Sequence, residues 1–99
     1  MQRSYFVVQM TTTFDSFDTV RAEASDLMAQ HISRSRQLHK DGVLVMAGAF
    51  MDPPGQPVQT MGVLTSREAA EAYAQDDPFV IAGHVRSWVV REWANMFAA

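Results

Sequence analysis

The sequence contains no cysteine, which excludes disulfides, thiolate nucleophiles and cysteine-bound metals and points to a reducing, cytoplasmic compartment. No apolar run approaches the ~20 residues of a membrane-spanning helix, so no membrane partner is expected. Basic residues are also few, eight Lys and Arg against eleven Asp and Glu, for a net charge of -3. Only Arg34, Arg36 and Lys40 gather on one stretch, where they read as a solvated helix face. A nucleic-acid partner, which needs clustered cations to neutralise phosphates, is not expected. There is no phosphate loop, GxSxG elbow or dinucleotide fingerprint. His31 and His39 lie at no usual metal-ligand spacing, so neither metal nor cofactor is expected.

What is present suits a packed core: 47% of the 99 residues are hydrophobic and 19% charged, which reads as one domain spanning residues 1–99. The organising stretch is Leu27 to Gly48. Leu27, His31 and Leu38 fall at spacings of four and seven, placing a titratable ring on the inner stripe of an amphipathic helix. Asp41-Gly42 stops that helix, because Gly takes the left-handed conformation without a Cβ clash. The run VLVMAGAF, Val43 to Phe50, then reads as a central strand.

Around this stretch the other elements follow in order. SYFVVQM, Ser4 to Met10, is a first strand rather than a signal peptide, and Thr11 to Phe17 is a polar loop. From Thr19 one long helix, or a short helix and a long one with a fresh N-cap at Ser25-Asp26, fits the pattern. Three prolines and a glycine between Pro53 and Pro57 define a loop, and Val58 to Thr65 forms a strand whose Gly62 marks a close approach by backbone or ligand. Ser66 or Thr65 caps a helix from Arg67 to about Gln75, and Asp77-Pro78 opens a further turn that ends at Gly83. His84 to Trp93 alternates as a last strand. The order βαββαβ predicts an α+β ferredoxin-like plait, a four-stranded antiparallel sheet with two helices on one face. The other, apolar face predicts a homodimer.

The chemical inventory is small. His31 is the candidate acid or base, with a core histidine satisfied by a backbone carbonyl as the competing assignment. Asp77 is its candidate partner, or simply an N-cap. Arg34, one turn on from His31, is a candidate for a substrate carboxylate, or is solvated. His84 could reach a pocket mouth, whereas His39, about 80° further round the helix than His31, should lean towards solvent. The seven methionines read most simply as core filler.

His31, the helix end LHKDGVLVMAG, the Pro/Gly loop, the strand carrying MGV, SREAAEAYAQDDPF and AGHVRSWVVREW occur in the order found in YciI-like, YCII-related proteins. The chain resembles that family from about Ala29 to Trp93. The resemblance implies a ferredoxin-like fold that dimerises as an α/β barrel, with a histidine of the first helix and the aspartate of the DP-aromatic motif as an active-site dyad, here His31 and Asp77. One relative is a dehydrochlorinase of chlorinated aromatics, and muconolactone isomerase has a similar barrel. The expected activity is therefore lyase, dehydrochlorinase or isomerase chemistry on a small cyclic or enolisable substrate, in a pocket that Phe79, Gly62, Arg34 and His84 would help to line. A metabolite-binding module without chemistry and a cofactor-free oxygenase are the alternatives. Gly48-Ala49 stands where the family has Gly-Pro, and His84 has no family counterpart.

Overall fold

The computed structural model describes residues 3–97. The elements are β1 (Ser4–Thr12), α1 (Phe17–Glu23), α2 (Ser25–Lys40), β2 (Leu44–Ala49), β3 (Gln59–Leu64), α3 (Arg67–Gln75), α4 (Pro78–Ile81) and β4 (Val85–Ala94). The strands form one antiparallel sheet in the order β2-β3-β1-β4, the plait arrangement.

Several boundaries follow from local chemistry. Ser16 accepts a hydrogen bond from the Thr19 amide and starts α1. The break between α1 and α2 falls at Ala24, not at Ser25-Asp26, and no side chain caps α2. Ala24 is buried with Phe14, Val20, Val58 and Phe79, so apolar packing sets the break in place of a polar cap. The Val43 amide reaches back to the Leu38 carbonyl across Gly42, whose φ is 77°, and ends α2 in a Schellman turn.

β2 is an edge strand and not a central one. Its apolar run is explained by its two faces: Leu44 is buried in the core under α3, while Met46 stands 58% exposed on the opposite side. A bulge between Leu44 and Met46 shifts the register with β3. β1 runs two residues further than expected, to Thr12, whose hydroxyl donates to the Val58 carbonyl and accepts from the Phe14 amide.

The main core lies between the sheet and α3: Val8, Met10, Leu44 and Leu64 meet Ala70, Tyr73 and Ala74. Gly62, opposite Val8, lies directly beneath the Tyr73 ring. A Cβ there would come within 3.2 Å of Tyr73 Cε2, so the close approach is made by a side chain of α3 and not by a ligand. By contrast, none of the sixteen residues of α2 is buried. That helix stands off the sheet, and a cavity opens beneath it. The sheet's other face carries Val7 and Val63 at its centre, with Met46, Val89 and Trp93 exposed around them.

Candidate active site

The cavity measures about 580 Å³. Its floor comes from the β2 and β3 side of the sheet, one end is closed by Phe14 and Phe79, and its roof is α2. From α2 it receives Met28, His31, Ile32, Ser35, Arg36 and His39, a stripe stepping by three or four residues as one helical face must.

His31 and Asp77 meet at the inner end of this stripe. His31 Nδ1 lies 2.5 Å from Asp77 Oδ1, and Nε2 has no hydrogen-bond partner among the described residues. The aspartate side chain is 1% exposed and the histidine 22%, so the carboxylate is enclosed while the ring keeps a way to the cavity. Asp77 makes a helix-capping contact and a histidine contact at once. Its Oδ2 accepts from the Phe79 amide at 2.9 Å and from the Val80 amide at 3.4 Å, starting α4, while Oδ1 faces His31. Both oxygens therefore have partners, which is what a buried carboxylate requires.

Tyr73 and Ser35 complete the inner wall, with the two hydroxyls 3.0 Å apart. Burial pushes the Tyr73 hydroxyl above its ordinary ionisation range, and the Asp77 charge adds to that push, while the Ser35 hydrogen bond and Arg34 oppose it. The phenol therefore stays neutral at physiological pH. The His31 ring lies 6.3 Å from the Tyr73 ring and 5.7 Å from Phe79, and Phe79 meets Phe14 edge to face at 5.8 Å.

The other expected site residues are placed differently. Phe79 lines the cavity. Arg34 does not; its guanidinium donates to the carbonyls of Tyr73 and Ala72, each at 2.9 Å, and lies over the Tyr73 ring. It pins α2 to the last turn of α3, whose carbonyl end attracts a cation, and shares the Ala72 carbonyl with the Asp76 amide. Gly62 is covered by Tyr73. His84 stands behind Phe14, with the rings 5.0 Å apart, outside the cavity lining. His39 is exposed as expected, yet it lines the cavity and its Nδ1 pairs with the Leu44 carbonyl at 2.8 Å. Tyr73, Ser35 and Arg36 were not anticipated as lining residues. Ser35 carried a signal, since it lies four residues after His31 on the same face. Among the described residues no three His, Asp or Glu side chains converge as a metal site.

Together these features define a ferredoxin-like α+β domain with a histidine-aspartate pair at one end of an apolar cavity. The YCII-related domain model matches residues 5–94, and the chain belongs to that family. Among solved structures it is similar to the 5-chloro-2-hydroxyhydroquinone dehydrochlorinase TftG of Burkholderia phenoliruptrix AC1100, determined with 2,5-dihydroxybenzoquinone, at a TM-score of 0.63 and 16% identity over 90% of this chain and 92% of that one. A protein of unknown function from Nitrosomonas europaea matches at a TM-score of 0.55 and 10% identity, covering 100% of this chain and 94% of that one. A candidate antibiotic biosynthesis monooxygenase from Chloroflexus aurantiacus matches at 0.53 and 13% identity, over 97% and 96%. These identities establish a shared fold. No protein of curated function matches the chain.

Proposed function

We propose that this YCII-related protein is a small acid–base enzyme acting on a cyclic or enolisable organic substrate, as a lyase, dehydrochlorinase or isomerase does. The observation that carries this reading is a histidine whose Nδ1 is engaged by an enclosed carboxylate while its Nε2 is unengaged beside an apolar cavity. With Nδ1–H donating to Asp77, the neutral ring keeps its lone pair on Nε2, the atom able to take a proton. Nε2 removes a proton from a substrate carbon or hydroxyl, and the electron pair left behind forms a new double bond. In an elimination, chloride or another anion departs with the electrons of its own bond. In an isomerisation, the imidazolium returns the proton to a different carbon. Asp77 stabilises the imidazolium in either case and holds the ring in the required orientation.

Tyr73 supports the same reading, because a neutral phenol in the cavity wall can donate to an oxygen that gains charge as the double bond forms. The open sheet face supports a homodimer: Met46, Val89 and Trp93 form an apolar surface that a second sheet would cover. Sedimentation equilibrium tests that part, and a species of only 11.1 kDa at micromolar concentration would refute it.

The enzymatic reading is tested with a panel of chlorinated hydroquinones, lactones and small cyclic acids. A substrate turned over by the wild type should lose at least ~100-fold in rate in His31→Gln and a smaller factor in Asp77→Asn. The apolar lining favours one other reading, a module that holds a metabolite without converting it. Under that reading a panel compound binds, no compound is turned over, and His31→Gln leaves binding intact.

A further inference from the structure

The α2 stripe that roofs the cavity also carries a full positive charge that no ion pair balances among the described residues. Arg36 lines the cavity together with His31, Ile32 and His39, and among the described residues its guanidinium has neither an ion pair nor a hydrogen bond. The nearby carboxylates are engaged elsewhere. Asp41 accepts from Gln37, and Asp77 is taken by His31 and two backbone amides. β2, the strand beneath, is LVMAGA and bears no charge at all. Arg36 is therefore an exposed cation, unpaired among the described residues, in the lining of a mostly apolar cavity, in a chain whose net charge is -3.

We infer that Arg36 recognises an anionic group on the substrate, so that the ligand is a ring-sized organic acid lying along α2. This inference rests on the acid–base reading of the site and adds the substrate's charge to it. Arg36 follows His31 by five positions, about 8 Å along the helix axis at 1.5 Å per residue and about 140° round it, so the two stand at opposite edges of the cavity stripe. A single ring bearing a carboxylate spans that distance, with its far carbons at His31 Nε2 and its carboxylate in the guanidinium fork, which matches two carboxylate oxygens at once. Ile32 and Leu44 offer the ring an apolar track between the two ends. His39, whose Nδ1 is occupied by the Leu44 carbonyl, leaves Nε2 as an acceptor for a ring hydroxyl. Arg34, the arginine that helix spacing alone nominates, is excluded from this task by its bonds to Ala72 and Tyr73.

The test compares two probes that differ in charge and one methyl group, 2,5-dihydroxybenzoate and its methyl ester, by titration calorimetry. The wild type should bind the acid roughly tenfold more tightly than the ester, the increment expected of a charge-assisted pair. Arg36→Gln should bring the two affinities together by weakening the acid alone, and Arg36→Lys should keep part of the preference. Arg36 is exposed and holds no other element in place, so the variant should fold like the wild type, as circular dichroism would verify. Equal affinities in the wild type, an acid preference that survives Arg36→Gln, or no binding of either probe at millimolar concentration would overturn the inference. Binding is read without turnover. A failure here with His31-dependent turnover intact refutes only the charge assignment, whereas a charge preference without His31-dependent turnover refutes only the chemistry.

Discussion

α2 and α3 cover the same face of one sheet and do opposite things. α3 has nine residues and buries Ala70, Tyr73 and Ala74 against Val8, Met10 and Leu64. α2 has sixteen and buries none. It packs only the half-buried Leu27, Met28 and Leu38 against the cores and adds polar contacts: His31 to Asp77, Arg34 to the carbonyls of Ala72 and Tyr73, Ser35 to the Tyr73 hydroxyl, and His39 to the Leu44 carbonyl. Burial makes one helix a structural wall, and its absence leaves room for a ligand under the other. The comparison teaches that the helix with the less buried face is the one that roofs the cavity and presents His31 to it.

The contrast is broken most forcefully at the sheet. Leu64 is 0% exposed beneath α3, and Leu64→Ala should cost about 2–5 kcal/mol in chemical denaturation. Ile32→Ala on α2, where the side chain is 44% exposed, should change stability by no more than about 0.5 kcal/mol. Equal costs would mean that α2 is packed after all. Gly62→Ala places a methyl 3.2 Å from Tyr73 Cε2, so the ring must give by a few tenths of an ångström, and a loss of stability in chemical denaturation would show that α3 holds it too tightly to do so. Arg34→Gln should cost about 1 kcal/mol and quicken amide exchange in α2 more than in α3, since it removes a pin and no core contact.

The smallest effect is one of pH. Folding raises the ionisation range of Tyr73 above 10.0, so above that pH the unfolded chain releases a proton that the folded chain keeps. Stability should therefore fall as pH rises past 10.0 and lose nothing from this group below it. Tyr73→Phe should remove that part of the alkaline slope, and an identical slope in both proteins would contradict it.

How much of this the sequence carried differs from element to element. The four strands, the Gly42 stop and the Asp77 cap were legible, because alternation, left-handed glycine and Asp-Pro act locally. The His31 and Asp77 pairing is suggested by the order of the elements, since the turn carrying Asp77 can return beside the first helix, and by family resemblance; local spacing says nothing, because 46 residues separate the two. β2 reads as a central strand from sequence because an apolar run does not distinguish a strand between two neighbours from an edge strand beside a cavity. Arg34 and Arg36 are both arginines on α2, and which one faces the cavity depends on a helix rotation set by its contacts with α3. Gly62 illustrates the same limit: the need for close approach was readable, but the approaching Tyr73 side chain was not.

The most direct test of the central claim is ¹⁵N NMR of the His31 ring, assigned with His31→Gln and repeated in Asp77→Asn. The account predicts that neutral His31 carries its proton on Nδ1 and leaves Nε2 bare, and that this tautomer preference is lost when Asp77 loses its charge. A neutral ring protonated on Nε2, or a tautomer indifferent to Asp77→Asn, would contradict it and leave the cavity without its base.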